Sequence, residues 1–123
     1  MGSELSTSEA LARRWLEAFN RYDLEGLLAL YSDACEHTSP KIRALHPETG
    51  GKLKGKVALR AWWADAFKRL PGLRYEATFV TAGAKAAVLE YVRHAPNEPP
   101  MFVAEVFELD ASGLIARSRV YHG

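Results

Sequence analysis

Residues 73–122 read LRYEATFVTAGAKAAVLEYVRHAPNEPPMFVAEVFELDASGLIARSRVYH. Apolar and polar residues alternate with a period of two over 73–82, 86–94, 101–110 and 114–122, and β-branched and aromatic residues are frequent there. This pattern predicts four strands. The segments between them are too short for a crossover, so consecutive strands are predicted to be antiparallel neighbours.

The residues before this stretch carry helical patterns. A capping box over residues 6–9 predicts the start of a first helix, and Asp23 is a natural N-cap for a short second helix whose apolar face includes Tyr31. Residues 34–39 are predicted to form a strand, and the pair Pro71-Gly72 to end a third helix. Helices followed by strands indicate an α+β fold, with three N-terminal helices packed on a curved antiparallel sheet.

The segment 40–54 lacks a clear period. It carries two prolines and the pair Gly50-Gly51 and is predicted to be a loop. A loop of this length in a compact domain is often functional, so it is either a flap over a pocket or a mobile surface insertion. The sequence leaves both interpretations open.

Length and composition limit the class of protein. The 123 residues fit one domain, 1–123, and 16 basic and 15 acidic residues are interspersed, so no basic stripe for nucleic acid is present. The single Cys35 cannot form an intrachain disulfide, and no secretion signal or membrane-length apolar run is visible. These features predict a cytoplasmic protein without nucleic-acid or membrane partners.

The order of these patterns resembles the nuclear transport factor 2-like superfamily, which includes ketosteroid isomerases and SnoaL-like polyketide cyclases. The resemblance is carried by residues 15–20, 23–27, 30–34, 55–60, 113–115 and 119–121. It implies that the sheet forms a cone around one internal pocket and that two copies pair through their sheets as a homodimer. One fold hosts many activities, so the resemblance alone does not give the reaction.

The resemblance also aligns three functional positions of ketosteroid isomerases with this chain. Trp15 stands where the family has a tyrosine that donates to the oxyanion, and Ser39 where it has the proton-transferring aspartate. Glu105 stands at the second, protonated oxyanion donor and alone keeps a carboxyl group. A serine hydroxyl cannot replace a carboxylate base without its own activator, so a changed active site is predicted.

The pocket residues are predicted from strand alternation, because every second residue of a strand faces the same side. The groups predicted to carry chemistry are Glu105, His37 and Glu90. The side chains predicted to line the pocket are Trp15, Phe19, Tyr31, Ser39, Trp63, Phe67, Val92, Val103, Phe107, Val120 and His122.

Burial against apolar walls raises the pKa of a carboxyl group, and an imidazole titrates near neutrality. The hypothesis is therefore an acid/base pair of His37 and Glu105, with Glu90 next in line. A purely structural role, such as an inward glutamate paired with a histidine or with the indole of Trp15, stays open. The sequence has neither metal-ligand spacing nor a phosphate-binding loop, so no metal or cofactor is predicted.

Two classes of function follow. The first is a cofactor-independent acid/base enzyme, of isomerase, cyclase, dehydratase or hydrolase type, acting on a small apolar cyclic molecule. The second is a non-catalytic module for ligand binding or dimerisation. An open, roofed cavity with Glu105 and His37 within hydrogen-bond reach favours the enzyme, whereas a cavity plugged by Trp15 and Phe107 favours the module.

Overall fold

A computed structural model describes residues 6–123; residues 1–5, where a secretion signal would begin, lie outside the described part. The elements are, in chain order, α1 Thr7–Asn20, α2 Leu24–Leu28, β1 Tyr31–Thr38, α3 Pro40–Leu45, a 3-10 turn Pro47–Thr49, β2 Lys52–Lys54, α4 Lys56–Arg69, β3 Arg74–Ala82, β4 Ala86–His94, β5 Met101–Leu109 and β6 Ile115–His122. None of the described helices is long and apolar enough to span a membrane.

The two predicted helix caps are present. The Ser6 hydroxyl accepts a hydrogen bond from the Glu9 N–H, and the Asp23 side chain accepts one from the Gly26 N–H. The second helix is shorter than predicted, because Tyr31 begins β1, where it pairs with Ile115. The prediction that Tyr31 belongs to the helix was wrong, since pairing with a distant strand outweighs the local apolar spacing.

The sheet has the order β2-β1-β6-β5-β4-β3. Strands β3 to β6 form the predicted antiparallel meander. The α+β class is confirmed, but β1 pairs with β6 in parallel, so the sheet is mixed. A long connection separates β1 from β6 in the chain, and such a connection permits parallel pairing.

The segment 40–54 is folded rather than a loop. Ser39 caps α3 by accepting a hydrogen bond from the Lys41 N–H, and Pro40 occupies the first turn of that helix. Residues 6–123 therefore form four α-helices rather than the three predicted. A helix as short as α3 is too brief to show a period, although a serine followed by proline is a typical helix start.

An aromatic cluster fills the space between α1 and the inner face of the sheet, which is the face that the helices cover. The ring centroids of Phe19 and Tyr75 are 4.0 Å apart, and those of Tyr75 and Tyr91 are 4.1 Å apart. Trp15 stacks on Phe19 and lies 5.2 Å from Phe107. This cluster closes one end of the cone, so any cavity must lie beyond it.

Candidate functional site

A cavity of about 250 Å³ lies beyond the aromatic cluster, between α3, α4 and the inner face of the sheet. Its apolar walls come from Trp62, Trp63, Leu70, Leu73, Val103 and Val120. Glu105 and His37 line its buried end, and neither is more than 1% exposed. Charged side chains on α3, on β4 and in the β4–β5 loop line the solvent end.

Glu105 is held at the buried end by the centre of β5, where it pairs with Leu89 of β4 and Val120 of β6. Its Oε1 accepts a hydrogen bond of 2.9 Å from the Tyr91 hydroxyl, and its Oε2 has no partner. Burial raises the pKa of Glu105 to about 8, and the hydrogen bond from Tyr91 only partly opposes this. Glu105 is therefore mainly a neutral carboxylic acid at pH 7.

The titratable groups around Glu105 are tyrosines. Burial raises the pKa values of Tyr31, Tyr75 and Tyr91, and the charge of ionised Glu105 raises each of them further. All three hydroxyls stay protonated across the neutral range. Glu105 is consequently the group at this end of the cavity that changes its protonation state near neutral pH.

His37 reaches the cavity from β1. Its Nδ1 is hydrogen-bonded to the Ser118 hydroxyl at 2.5 Å, and its Nε2 is buried without a partner. Burial lowers the pKa of His37 to about 4. The imidazole is therefore neutral at pH 7, and one of its two nitrogens carries a hydrogen.

The hydrogen bond to Ser118 decides which nitrogen that is, because a hydroxyl can either donate to Nδ1 or accept from it. When Ser118 donates to Nδ1, the hydrogen of His37 is on Nε2, the nitrogen without a partner. Near this pair, the Trp15 indole N–H, which can only donate, donates to the Tyr31 hydroxyl oxygen at 2.8 Å.

Three buried polar atoms of the described residues lack a hydrogen-bond partner: His37 Nε2, Trp63 Nε1 and Glu105 Oε2. All three residues line the same cavity, and the rings of His37 and Trp63 lie 5.3 Å apart. Buried polar atoms are nearly always satisfied, so this convergence is unusual. At neutral pH the Trp63 N–H and the protonated Glu105 are hydrogen-bond donors, and His37 Nε2 is a third donor when Ser118 donates to Nδ1. Such a set of donors suits an acceptor oxygen, such as that of a carbonyl.

The structure brings together many of the residues predicted from sequence. Those that line the cavity are His37, Ser39, Trp63, Val103, Glu105, Val120 and His122. The hydroxyl of Ser39 accepts the α3 capping bond, so it serves the helix start.

The predicted orientation of β4 was wrong. Glu90 is exposed on the outer face, opposite Ala104, and Val92 shares that face. The inner face of β4 carries Leu89, Tyr91 and Arg93 instead. A shift of one residue reverses every side chain of a strand, and both alternating sets of β4 contain apolar residues, so the period alone could not choose between them.

Of the aromatic residues predicted to line the pocket, Trp63 does so, whereas five others were misplaced. The fully buried Trp15, Phe19, Tyr31 and Phe107 lie in the core and do not line the cavity. Phe67 packs against Phe19 at a centroid distance of 5.1 Å. Mutual stacking of these rings leaves no space between them for a ligand.

Several lining residues were missed. Tyr91 and Arg93 follow from the corrected face of β4, and Lys41 from the unpredicted helix α3. Alternation with Leu89 was a signal for the first two, and the Ser39-Pro40 pair was a signal for the third. Among residues 6–123, no group of three or more His, Cys, Asp or Glu side chains is placed to hold a metal ion.

Comparisons with known proteins agree with this architecture. A SnoaL-like protein of unknown function from Burkholderia thailandensis is 25% identical, with 95% of each chain covered and a TM-score of 0.83. A proposed ketosteroid isomerase from Kribbella flavida is 17% identical, with 95% of this chain and 78% of that chain covered and a TM-score of 0.77. A proposed polyketide cyclase from Sinorhizobium meliloti is 17% identical, with 95% and 100% covered and a TM-score of 0.76.

No curated protein matches the chain. The model of the SnoaL-like domain family matches residues 12–118, which include His37 and Glu105 at the buried end of the cavity. The chain therefore belongs to the SnoaL-like domain family.

Proposed function

We propose that this protein is a cofactor-independent acid/base enzyme of isomerase or cyclase type, acting on a small, largely apolar cyclic molecule with a carbonyl group. The observation that carries the proposal is the convergence of three unpartnered buried polar atoms on one apolar cavity, one of them on a carboxyl group with a pKa of about 8. A pKa near the working pH suits a group that both takes and returns a proton.

In the proposed reaction Glu105 moves the proton and two N–H groups hold the oxygen. The carboxylate form of Glu105 takes a proton from the carbon next to the carbonyl, and the electron pair shifts to the carbonyl oxygen. The N–H groups of His37 and Trp63 stabilise the resulting enolate. Returning the proton to another carbon completes an isomerisation, and attack of the enolate on a second carbonyl of the same molecule forms a ring.

This proposal assigns new roles to two predicted residues. His37 becomes a hydrogen-bond donor rather than the partner of Glu105 in proton exchange, in the tautomer in which Ser118 donates to Nδ1 and the hydrogen is on Nε2. Glu90 has no role, since it lies on the outer face. The alternative function, a non-catalytic module, called for a cavity plugged by Trp15 and Phe107. Both lie in the core beyond an open cavity, which supports the enzyme, whereas the expected hydrogen bond between Glu105 and His37 is not formed.

The test is hydrogen–deuterium exchange at the carbons next to the carbonyl of 2-tetralone, followed by NMR in D2O. We expect the enzyme-catalysed rate to rise about tenfold per pH unit up to pH 8 and then to level off, because the carboxylate fraction of Glu105 does so. Replacing Glu105 by glutamine should lower the rate on the order of 100-fold or more.

The matched control is Glu90→Gln, on the neighbouring strand but on the outer face, which should leave exchange unchanged. Exchange that is insensitive to Glu105→Gln, or that falls as pH rises from 6 to 8, would contradict the assignment of Glu105 as the proton-transferring base.

We further propose a homodimer formed through the outer face of the sheet. Phe79, Phe102 and Tyr121 lie on that face and are each more than half exposed. Pairing two copies would remove this apolar surface from water. Sedimentation should give a dimer for the unaltered protein and a monomer for Phe102→Lys; a monomer for both would contradict the proposal.

A further inference from the structure

The solvent end of the cavity carries more positive than negative charge. Arg93 donates a hydrogen bond of 2.7 Å to Glu98, and the Lys41 ammonium lies 3.9 Å from the same carboxylate. One carboxylate thus faces two cations. Burial lowers the pKa of His122 at this end, and the charges of Lys41 and Arg93 lower it further, as expected where the local potential is positive.

Arg93 differs from the other cations of the chain by its burial. Its side chain is 8% exposed, whereas that of Lys41 is 40% exposed. A buried guanidinium presents five N–H donors in a planar fork that matches a carboxylate. Glu98 engages Nη1, and Glu98 sits in the exposed β4–β5 loop with a side chain that is 35% exposed. A partly exposed carboxylate at the rim therefore occupies a buried guanidinium that is suited to binding carboxylates.

The two polar ends of the cavity are separated along the sheet. Glu105 pairs with Leu89, and Arg93 follows Leu89 by four positions on the same face of β4. At a rise of about 3.3 Å per residue, four positions separate the backbones of Leu89 and Arg93 by roughly 13 Å, and Glu105 lies beside Leu89. Tyr91 and Val103 lie between them. The cavity thus has a donor end, an apolar middle and a cationic end.

We propose that the substrate is a small cyclic keto acid, with a carboxylate at the end opposite its reacting carbonyl oxygen. Arg93 binds this carboxylate, Lys41 adds to the attraction, and Glu98 is the internal carboxylate that the ligand displaces. The inference deepens the proposed function and rests on it for the orientation of the ligand, with the reacting oxygen toward Glu105.

The probe is 6-hydroxy-2-naphthoate, whose hydroxyl mimics an enol and whose carboxylate lies at the far end of two fused rings. The uncharged control ligand is the methyl ester of the same compound. Because a hydrogen bond to a charged group contributes about 1.5 to 3 kcal/mol, the acid should bind at least about tenfold more tightly than the ester by fluorescence titration at pH 7.

Two variants assign the difference to named residues. Glu98→Gln should tighten binding of the acid about threefold or more without changing the ester, because the ligand no longer displaces a charged competitor. Arg93→Gln should bring the two affinities within about twofold of each other. Glu98 is on an exposed loop, so its variant tests the inference even if Arg93→Gln does not fold.

Equal affinities of acid and ester for the unaltered protein would overturn the inference, as would an unchanged acid affinity in Glu98→Gln. Such a result together with Glu105-dependent exchange of 2-tetralone leaves the proposed function standing. A preference for the acid without Glu105-dependent exchange supports the carboxylate site and removes the proposed reaction.

Discussion

Replacing Glu105 by glutamine is expected to raise the free energy of unfolding at pH 8 by roughly 4 kcal/mol. Burial raises the pKa of Glu105 from 4.5 to about 8, and each pKa unit is worth about 1.4 kcal/mol. Below pH 4.5 the carboxyl group is protonated in both the folded and the unfolded chain, so it carries no ionisation cost. Between pH 4.5 and 8 the unfolded chain ionises and the folded chain does not, so stability falls as pH rises.

Glutamine resembles the protonated acid that it replaces. Its oxygen can accept the hydrogen bond from Tyr91, and its amide can donate where Oε2 now has no partner. Urea unfolding at pH 5 and at pH 8 measures the effect, and the gain should shrink below about 1 kcal/mol at pH 5. His37, whose lowered pKa destabilises the fold as pH falls from 6.5 toward 4, is present in both proteins and cancels.

The matched control for this measurement is again Glu90→Gln, whose exposed side chain should give the same small difference at both pH values. A gain for Glu105→Gln that is equal at pH 5 and pH 8 would show that the carboxyl group ionises normally in the folded protein. Glu105 lowers the free energy of unfolding and is nevertheless retained at the buried end of the cavity, which is consistent with a functional role there.

Replacing Trp15 by alanine is expected to lower the free energy of unfolding by roughly 3 to 5 kcal/mol, the usual cost of truncating a large buried aromatic side chain. The indole is fully buried and contacts the rings of Phe19, Trp63 and Phe107. The substitution also removes the indole N–H that donates to the Tyr31 hydroxyl.

Trp15→Phe separates these two effects, because it keeps most of the ring volume and loses the N–H. We expect it to cost about 1 to 3 kcal/mol, the penalty for a buried polar group that loses its partner. Denaturant unfolding of both variants provides the measurement. A loss below 1 kcal/mol for Trp15→Ala would contradict the placement of the indole in the core.

The fold could be predicted from sequence because its signals are local. Alternation in β3 to β6 and the caps at Ser6 and Asp23 depend on neighbouring residues. The parallel pairing of β1 with β6 could not be predicted, since it joins residues as distant as Tyr31 and Ile115. Helix α3 was not predicted, because its six residues make fewer than two turns and show no helical period.

The site was predicted only where the register of a strand could be inferred. His37 and Glu105 were placed correctly because β5 and the second half of β1 alternate between buried and partly exposed positions. Glu90 was misplaced by one residue, and Arg93 was missed for the same reason. The raised pKa of Glu105 was expected from burial, but the absence of a partner for its Oε2 depends on packing that no sequence pattern reports.

The proposed role of Glu105 as the proton-transferring group depends on the pKa of its carboxyl group in the folded protein. A 13C NMR titration of glutamate side-chain carboxyl carbons, with the Glu105 signal assigned by its loss in Glu105→Gln, measures it in the folded protein. Because Glu105 is buried, we expect an inflection near pH 8. An inflection near pH 4.5, the ordinary value for a solvated glutamate, would contradict it.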